Sequence, residues 1–255
     1  MSNVIACYKW VMDEAAIQFN QDLSLDVSGI SYKVSDYDRN AIQLAVEFAK
    51  ACGDVPVGLT CGDAASAKSF NNVLARDLSE AYLADVTGIE GADSVVTAQA
   101  LACAVRKIGD YKWVICADAS SDVYGQQTGA RIAARLGLPY VGLICEAHLE
   151  GDTLHAVRKL GKEYENICVK APAVLSILPE TIEPMIPGLR ALLAAKKKPS
   201  HILSKEELGL EAEPAMETVD QRAFVMIRKN QILEGDSMQA KVQALVDELR
   251  KDGVL

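Results

Sequence analysis

The stretch of this sequence best supplied for chemistry is Cys116-Ala117-Asp118-Ala119-Ser120-Ser121-Asp122-Val123-Tyr124-Gly125-Gln126-Gln127-Thr128-Gly129. It leaves an apolar run, crosses small and polar residues, and enters a helical pattern. Where a helix begins, its first N–H groups lack intrahelical acceptors and the positive end of its dipole faces outward, which suits phosphate. Ser120, Ser121, Gln126, Gln127 and Thr128 add side-chain donors, and Gly125 and Gly129 permit close backbone approach. The same residues also read as an ordinary helix cap followed by a glycine for helix–sheet packing, because small polar loops before helices are common. On pattern alone both readings stand. The loop holds no Lys or Arg and carries two acids, Asp118 and Asp122. That composition argues against a triphosphate-hydrolysing loop and for static binding through backbone amides.

Other reactive types are spread thinly. Ser35-Asp36-Tyr37-Asp38 precedes a helix start and offers groups for an adenine edge or a ribose, or simply a cap. Seven cysteines (Cys7, Cys52, Cys61, Cys103, Cys116, Cys145, Cys168) include no CxxC pair. That is a poor disulfide framework and no zinc or iron–sulfur signature. Cys7 and Cys61 each close an apolar run; singly, such a thiol reads first as core packing and second as a ligand contact. His148, His155 and His201 make no metal cluster by spacing, so no metal site is expected. GxSxG, the Walker lysine loop, HExxH and GxGxxG are all missing. No catalytic residue is therefore expected.

The elements that must position these loops follow from apolar patterning. Val4 to Tyr8 reads as a buried strand, Asp38 to Cys52 as a helix stopped by Gly53, and Val55 to Cys61 as a strand. Gly62-Asp63 opens a second helix through Ala75, and Glu80 to Ala84 is a strand. Asp93 or Ser94 caps a helix carrying Leu101, Val105 and Ile108; Trp113 to Cys116 is a strand, and a helix runs from about Tyr124 to Leu136. This β-α-β-α order predicts a parallel sheet covered by helices on both faces. Such sheets bind ligands beyond the carboxyl ends of their strands, which selects the loops after Cys7, Cys61 and Cys116.

After Leu138 the pattern becomes antiparallel-like, with strands Tyr140 to Leu149, Thr153 to Lys159 and Ile167 to Ile177. A proline-bounded loop, Ile182 to Pro187, leads to a short helix from Gly188 to Lys198. Leu189, Leu192 and Leu193 make an apolar segment beside Lys196-Lys197-Lys198, a partner-docking element or a core contact. On an acidic chain the lysines read as a helix C-terminus. Beyond Ser200 the chain is polar, with a strand expected around Ala223 to Ile227 and a helix from Asp236. Met238, Val242, Leu245 and Leu249 stripe that helix, and the tail is too thin to hold a core alone, so it must pack on the main domain or on a partner, and the partner is the preferred reading. The expected division is a nucleotide-binding domain over 1–187 and a recognition helix with a C-terminal arm over 188–255.

Composition narrows the class. Of 255 residues, 26 are Lys or Arg and 35 are Asp or Glu, a net charge of −9, which argues against a general nucleic-acid surface. No apolar run approaches the ~20 residues of a membrane span. The opening Met1-Ser2-Asn3-Val4 has no signal-peptide pattern, and a soluble cytoplasmic chain is expected.

Several blocks together resemble the β subunit of electron transfer flavoprotein, over essentially the whole length. They are Val4 to Asp13, the Thr60-Cys61-Gly62 turn, the Gln127-Thr128-Gly129 helix start, and Ala195-Lys196-Lys197-Lys198. The family's diagnostic stretch corresponds to Val157 to Ile167 followed by Pro172-Ala173-Val174-Leu175-Ser176, with Lys162 standing where an acid is usual. The resemblance implies a Rossmann-like fold of the adenine nucleotide alpha-hydrolase type, without hydrolase activity, in an electron carrier. It implies a heterodimer with an α subunit that holds most of an FAD, and an AMP buried in the β subunit. Electrons would pass from dehydrogenases, of acyl-CoA type, to a quinone reductase or ferredoxin-like acceptor. By position, the nucleotide contacts fall on Cys7, Ser35, Asp36, Tyr37, Asp38, Cys61, and Ala117, Asp118, Ala119, Ser120, Ser121, Asp122, Val123, Tyr124, Gly125, Gln126, Gln127 and Thr128. Asp13 and Glu14 fall where the β subunit approaches the isoalloxazine ring. The recognition loop falls on Leu178 to Pro199, with Leu189 as anchor.

Ser35 to Asn40 and Asp118 to Tyr124 look more like the Fix-type bacterial branch, linked to anaerobic acyl-CoA and carnitine reduction. Some of its members bind a second FAD in place of AMP and bifurcate electrons, so AMP and FAD both stay open here. Two other readings of the fold are a nucleotide-binding sensor or scaffold, which has little use for an amphipathic arm, and a nucleotide-dependent ligase, which would need a basic pyrophosphate loop.

Overall fold

The computed structural model describes residues 1–224 and 228–255. Its strands are β1 (Asn3–Cys7), β2 (Trp10–Met12), β3 (Gln18–Phe19), β4 (Leu25–Asp26), β5 (Tyr32–Val34), β6 (Val55–Gly62), β7 (Glu80–Asp85), β8 (Tyr111–Ala117), β9 (Tyr140–Glu150), β10 (Thr153–Leu160), β11 (Glu163–Lys170), β12 (Ala173–Ile177) and β13 (Ser200–Leu203). Its helices are α1 (Asp38–Cys52), α2 (Phe70–Leu74), α3 (Ser94–Ile108), α4 (Thr128–Leu136), α5 (Leu189–Ala195) and α6 (Met238–Lys251).

Nine strands form one sheet in the order β11-β10-β9-β12-β8-β1-β6-β7-β13. From β9 to β13 every neighbouring pair is parallel, while β10 and β11 add an antiparallel ribbon. Alternation along β1 builds two apolar layers: Val4, Ala6 and Tyr8 join one cluster with α1 and α2, and Ile5 and Cys7 join another with α3 and α4. In α1 the buried face is Ala41, Ile42, Ala45, Phe48 and Ala49, and Phe48 meets the buried Trp113 ring edge-on at 6.2 Å. Gly53, at φ 69°, closes the helix by donating its N–H to Ala49 O. Asp93 caps α3 by accepting from the amides of Val95 and Val96. The molecule is thus an α/β, Rossmann-like fold, as expected from the element order.

By internal packing the chain divides into one unit of residues 1–18 and 26–221 and a second of 19–25 and 222–255. The first takes in α5 and β13. In the second, Ser24 bridges Arg222, Ser237 caps α6, and no residue of α6 is buried. The strand expected over Ala223 to Ile227 falls partly on residues 225–227, outside those described. No described helix is long and apolar enough to cross a membrane.

Several expected boundaries move. The run Ile167 to Ile177 is two strands, parted at Ala171-Pro172, and its second half pairs parallel with both β8 and β9. Proline cannot donate to a ladder, which accounts for the interruption. The helix expected from Gly62-Asp63 is a 3-10 turn over Ala64–Ser69 followed by α2. The helix expected from Tyr124 begins only at Thr128, because Tyr124 and Gln126 take left-handed φ of 53° and 54°. Two short ribbons, β2 with β5 and β3 with β4, and the edge strand β13 were not expected.

Candidate functional site

The order of strands reverses beside β1. The chain fills one side with β6 and β7, then returns to place β8 on the other, so the crevice between the carboxyl ends of β1 and β8 is the topological switch point. The loop after β8, residues 118–127, borders it. Its base is pinned where Asp118 N donates to Ile177 O at 2.9 Å. Its middle is tethered from outside: Ser121 N donates to Ser35 Oγ at 3.1 Å, and Lys9 Nζ pairs with Asp122 Oδ2 at 2.6 Å.

Those tethers converge on one buried carboxylate. Asp38, only 6% exposed, accepts from Lys9 N at 2.7 Å, and its own amide donates to Ser35 O at 3.1 Å. Burial pushes the Asp38 carboxyl up to about 7, against the lowering influence of the Lys9 N–H. Asp122 behaves oppositely: burial works against its charge, but Lys9 and the Ser120 hydroxyl outweigh it and hold the carboxyl below the usual range. Ser120 Oγ donates to Asp122 Oδ1 at 2.5 Å, and Gln126 Nε2 donates to Asp118 Oδ2 at 2.5 Å. Both acids of the loop therefore have partners, and the charge of Asp122 is offset by Lys9.

What remains open in the loop is a set of donors. Gln127 makes no side-chain cap on α4, so its side chain leaves the first-turn amides of this nine-residue helix untaken. Ser121 Oγ is buried and has no hydrogen-bond partner among the described residues. A Cβ added at Gly125 would meet nothing within 4 Å, whereas one at Gly129 would lie 3.2 Å from the Tyr140 ring and 3.6 Å from the Cβ atoms of Cys116 and Ser176. Gly129 therefore serves helix–sheet packing, and Gly125 faces space. Tyr37 and Tyr124 meet edge-on at 5.7 Å, placing two rings beside the loop, with Val123 and Tyr124 largely exposed.

The candidate thiols lie deeper. Cys7 is 5% exposed, and a hydrogen bond with Cys116 and burial push its thiol well above the ordinary range. Cys61 is half-buried, and burial pushes it up to about 12. Ala117 and Ala119 are buried at the strand end. Asp13, Glu14 and Asp36 form a separate cluster on Lys33, whose Nζ lies 3.5, 2.9 and 3.1 Å from their respective oxygens; Asp36 also pairs with Arg39 at 2.7 Å. Asp13 caps the 3-10 turn Glu14–Ala16.

Away from this edge, α5 leaves Leu189 and Leu193 exposed at 73% and 56%, with Lys196 also exposed, while Leu192 packs on the core. Lys198 reaches back to accept none and donate to two carbonyls, Leu74 O at 2.9 Å and Leu78 O at 2.7 Å. Lys9, Lys33 and Arg39 were missed as site residues. Lys9 was findable, since it stands two residues beyond β1 on the ligand edge; the Lys33 cluster joins segments whose proximity comes only from the β2–β5 ribbon.

This donor set fits a nucleotide: hydroxyls and carboxamides for phosphoryl and ribose oxygens, uncapped helix amides for negative charge, and two tyrosine rings beside them. Among the described residues no group of His, Cys, Asp and Glu is arranged to hold a metal ion. Residues 22–208, well over half of the chain and including Ser35 to Asp38, Cys61, the 118–127 loop and α5, match the family model described as Electron transfer flavoprotein domain.

Proposed function

This chain belongs to the electron transfer flavoprotein domain family, and from that premise we propose that it is the β subunit of a heterodimeric carrier of the Fix-type branch, acting in the cytoplasm. Proteins of this family carry electrons and are associated with flavin; they are not enzymes in the ordinary sense. The observation that carries the reading is the open donor loop at the β1/β8 switch point, with Ser121 Oγ unpartnered and Gly125 facing space. When bound, FAD supplies one- and two-electron chemistry at its ring system.

In this reading the chain's own residues bind and orient. Ser121, Gln127 and Thr128, with the α4 amides and the second N–H of Gln126, hold the phosphoryl oxygens of AMP or of a second FAD, while Ser120 keeps its hydroxyl on Asp122 and so shapes the loop. Ser35, Asp38 and Lys9 hold that loop in place, and Tyr37 and Tyr124 flank the bound base. Cys7 and Cys61 form the floor as protonated, unreactive thiols. Asp13 and Glu14 face the flavin shared with the α subunit, their charge offset by Lys33. Leu189, Leu193 and Lys196 meet an acyl-CoA-type dehydrogenase, Leu192 anchors the helix that carries them, and α6 packs on the α subunit. The final acceptor is a quinone reductase or ferredoxin-like protein.

Co-expression with a candidate α subunit, followed by extraction of nucleotides from the purified complex, tests this. About one FAD and one AMP per pair is expected of a one-flavin shuttle. Two FAD without AMP would assign the loop to a second flavin and favour bifurcation. A chain that stays alone and does not raise flavin retention would end the heterodimer reading.

A further inference from the structure

The antiparallel ribbon β9–β10–β11 turns one face to the core, through Ala147, Leu149, Leu154, Ala156, Ile167 and Val169, and the other to solvent. In its register His148, His155 and Cys168 stand directly opposite one another, so they share the solvent face in a single row across three strands. Cys168 Sγ lies 3.1 Å from His155 Nδ1, and His155 Nε2 lies 3.6 Å from Glu150 Oε2. The sulfur opens into a groove of about 330 Å³ that Glu146, His148 and Asn166 also line. Lys170, two residues along the same strand face, is exposed beside it.

None of the other six cysteines resembles this one. Cys7, Cys116 and Cys145 are buried, and Cys52, Cys61 and Cys103 are half-buried. Burial raises the thiols of Cys52 and Cys61, and the hydrogen bond with Cys116 raises that of Cys7. Cys168 alone combines exposure, an imidazole within reach of its proton, and a carboxylate on the far ring nitrogen. The opposite face of the ribbon packs on the core through Leu154 and Ala156.

We propose that Cys168, His155 and Glu150 form a nucleophilic thiol relay on the open face of the ribbon, a modification site at which low-molecular-weight disulfides react with the chain. The thiol proton passes to His155 Nδ1 as the sulfur attacks one sulfur of the incoming disulfide. The new S–S bond to Cys168 forms as the old one breaks, and the departing sulfur leaves with that electron pair. It then takes the proton from His155, so Cys168 ends oxidised as a mixed disulfide and the released thiol is the reduced product. Glu150, 3.6 Å from the far ring nitrogen, steadies the positive ring between the two transfers.

The full-length chain, reduced, freed of reductant and treated at pH 7 with oxidised glutathione, is sampled over time and its mixed disulfides are mapped by peptide mass spectrometry. Cys168 is expected to react about tenfold faster than any other cysteine, His155→Ala to slow it about tenfold, and added imidazole to restore the rate. Glu150→Gln is expected to slow it about threefold without moving the label. Should the alanine variant lose the fold, His155→Gln replaces it. Label spread over several cysteines, an unslowed His155 variant, or a slowed one that imidazole does not rescue would each overturn the proposal.

Discussion

Two strand-end loops flank β1 and solve the same problem differently. The loop after β6 closes largely on itself: a Cβ at Gly62 would overlap Ser66 Oγ and Ser66 N donates to Asp63 O at 2.9 Å, with one outside tether where Thr87, beyond β7, takes Ala64 N on its Oγ1 at 3.1 Å. The loop after β8 leaves Ser121 Oγ without a partner and Gly125 open, and is held in place from β1 and the start of α1. A loop that meets its own polar demand has little left for a ligand. One that is braced from neighbouring elements keeps its donors free and still holds its shape, which is the preorganisation a static binding site requires.

The contrast can be broken at the brace. Asp38 is held up at about 7, against an ordinary aspartate value near 3.9. Between those values the folded chain keeps a proton that the unfolded chain has released. Its contribution to stability is therefore greatest below about pH 4 and falls as pH rises towards 7. Urea denaturation at pH 5, 6 and 7 should show this fall, with a slope of at most about 1.4 kcal/mol per pH unit, and Asp38→Asn should remove it. Equal slopes in the two proteins would mean that Asp38 does not titrate in this window.

At the self-closed loop, Gly62→Ala should cost roughly 1–3 kcal/mol of stability through overpacking while leaving nucleotide content per mole of folded complex unchanged. Gly125→Ala should do the reverse, with stability within about 0.5 kcal/mol and nucleotide content reduced. Ser121→Ala sharpens the same comparison. With no protein partner to lose, stability should hold, while nucleotide retention should weaken about tenfold, the worth of one hydrogen bond to a charged oxygen at ~1.5 kcal/mol. The smallest effect is expected at Lys9→Met. Its pair with Asp122 is partly exposed on both sides, so the loss should stay under about 1 kcal/mol and disappear at high salt.

How much of this was legible in the residues varies with the kind of signal. The bounds of α1, the start of β6 and the cap of α3 followed from apolar periodicity, Gly53 and Asp93, because those cues act within a few residues; β8 begins at Tyr111, two residues before the expected Trp113. The parallel sheet followed from element order alone. The start of α4 did not, since Tyr124 to Gln127 has a composition that serves a first helical turn as well as an irregular loop, and only the left-handed φ values decide. Nor did β13, whose four residues Ser200–Leu203 are mostly exposed and become a strand by pairing with β7. The brace itself joins Lys9, Ser35, Asp38 and Asp122 across long separations, which no local pattern encodes.

The place of β12 in the sheet has a consequence for biosynthesis. Although made after β9, β10 and β11, it lies between β9 and β8, and so links the antiparallel ribbon to the rest of the sheet. A nascent chain that has emerged only as far as residue 170 holds every strand of the ribbon but not the strand that joins them to β8. The edges of β8 and β9 that will receive it stay unpaired until Ala173–Ile177 leaves the ribosome, so the ribbon joins the sheet by insertion of a strand at its interior, and only β13 is left to add at the rim.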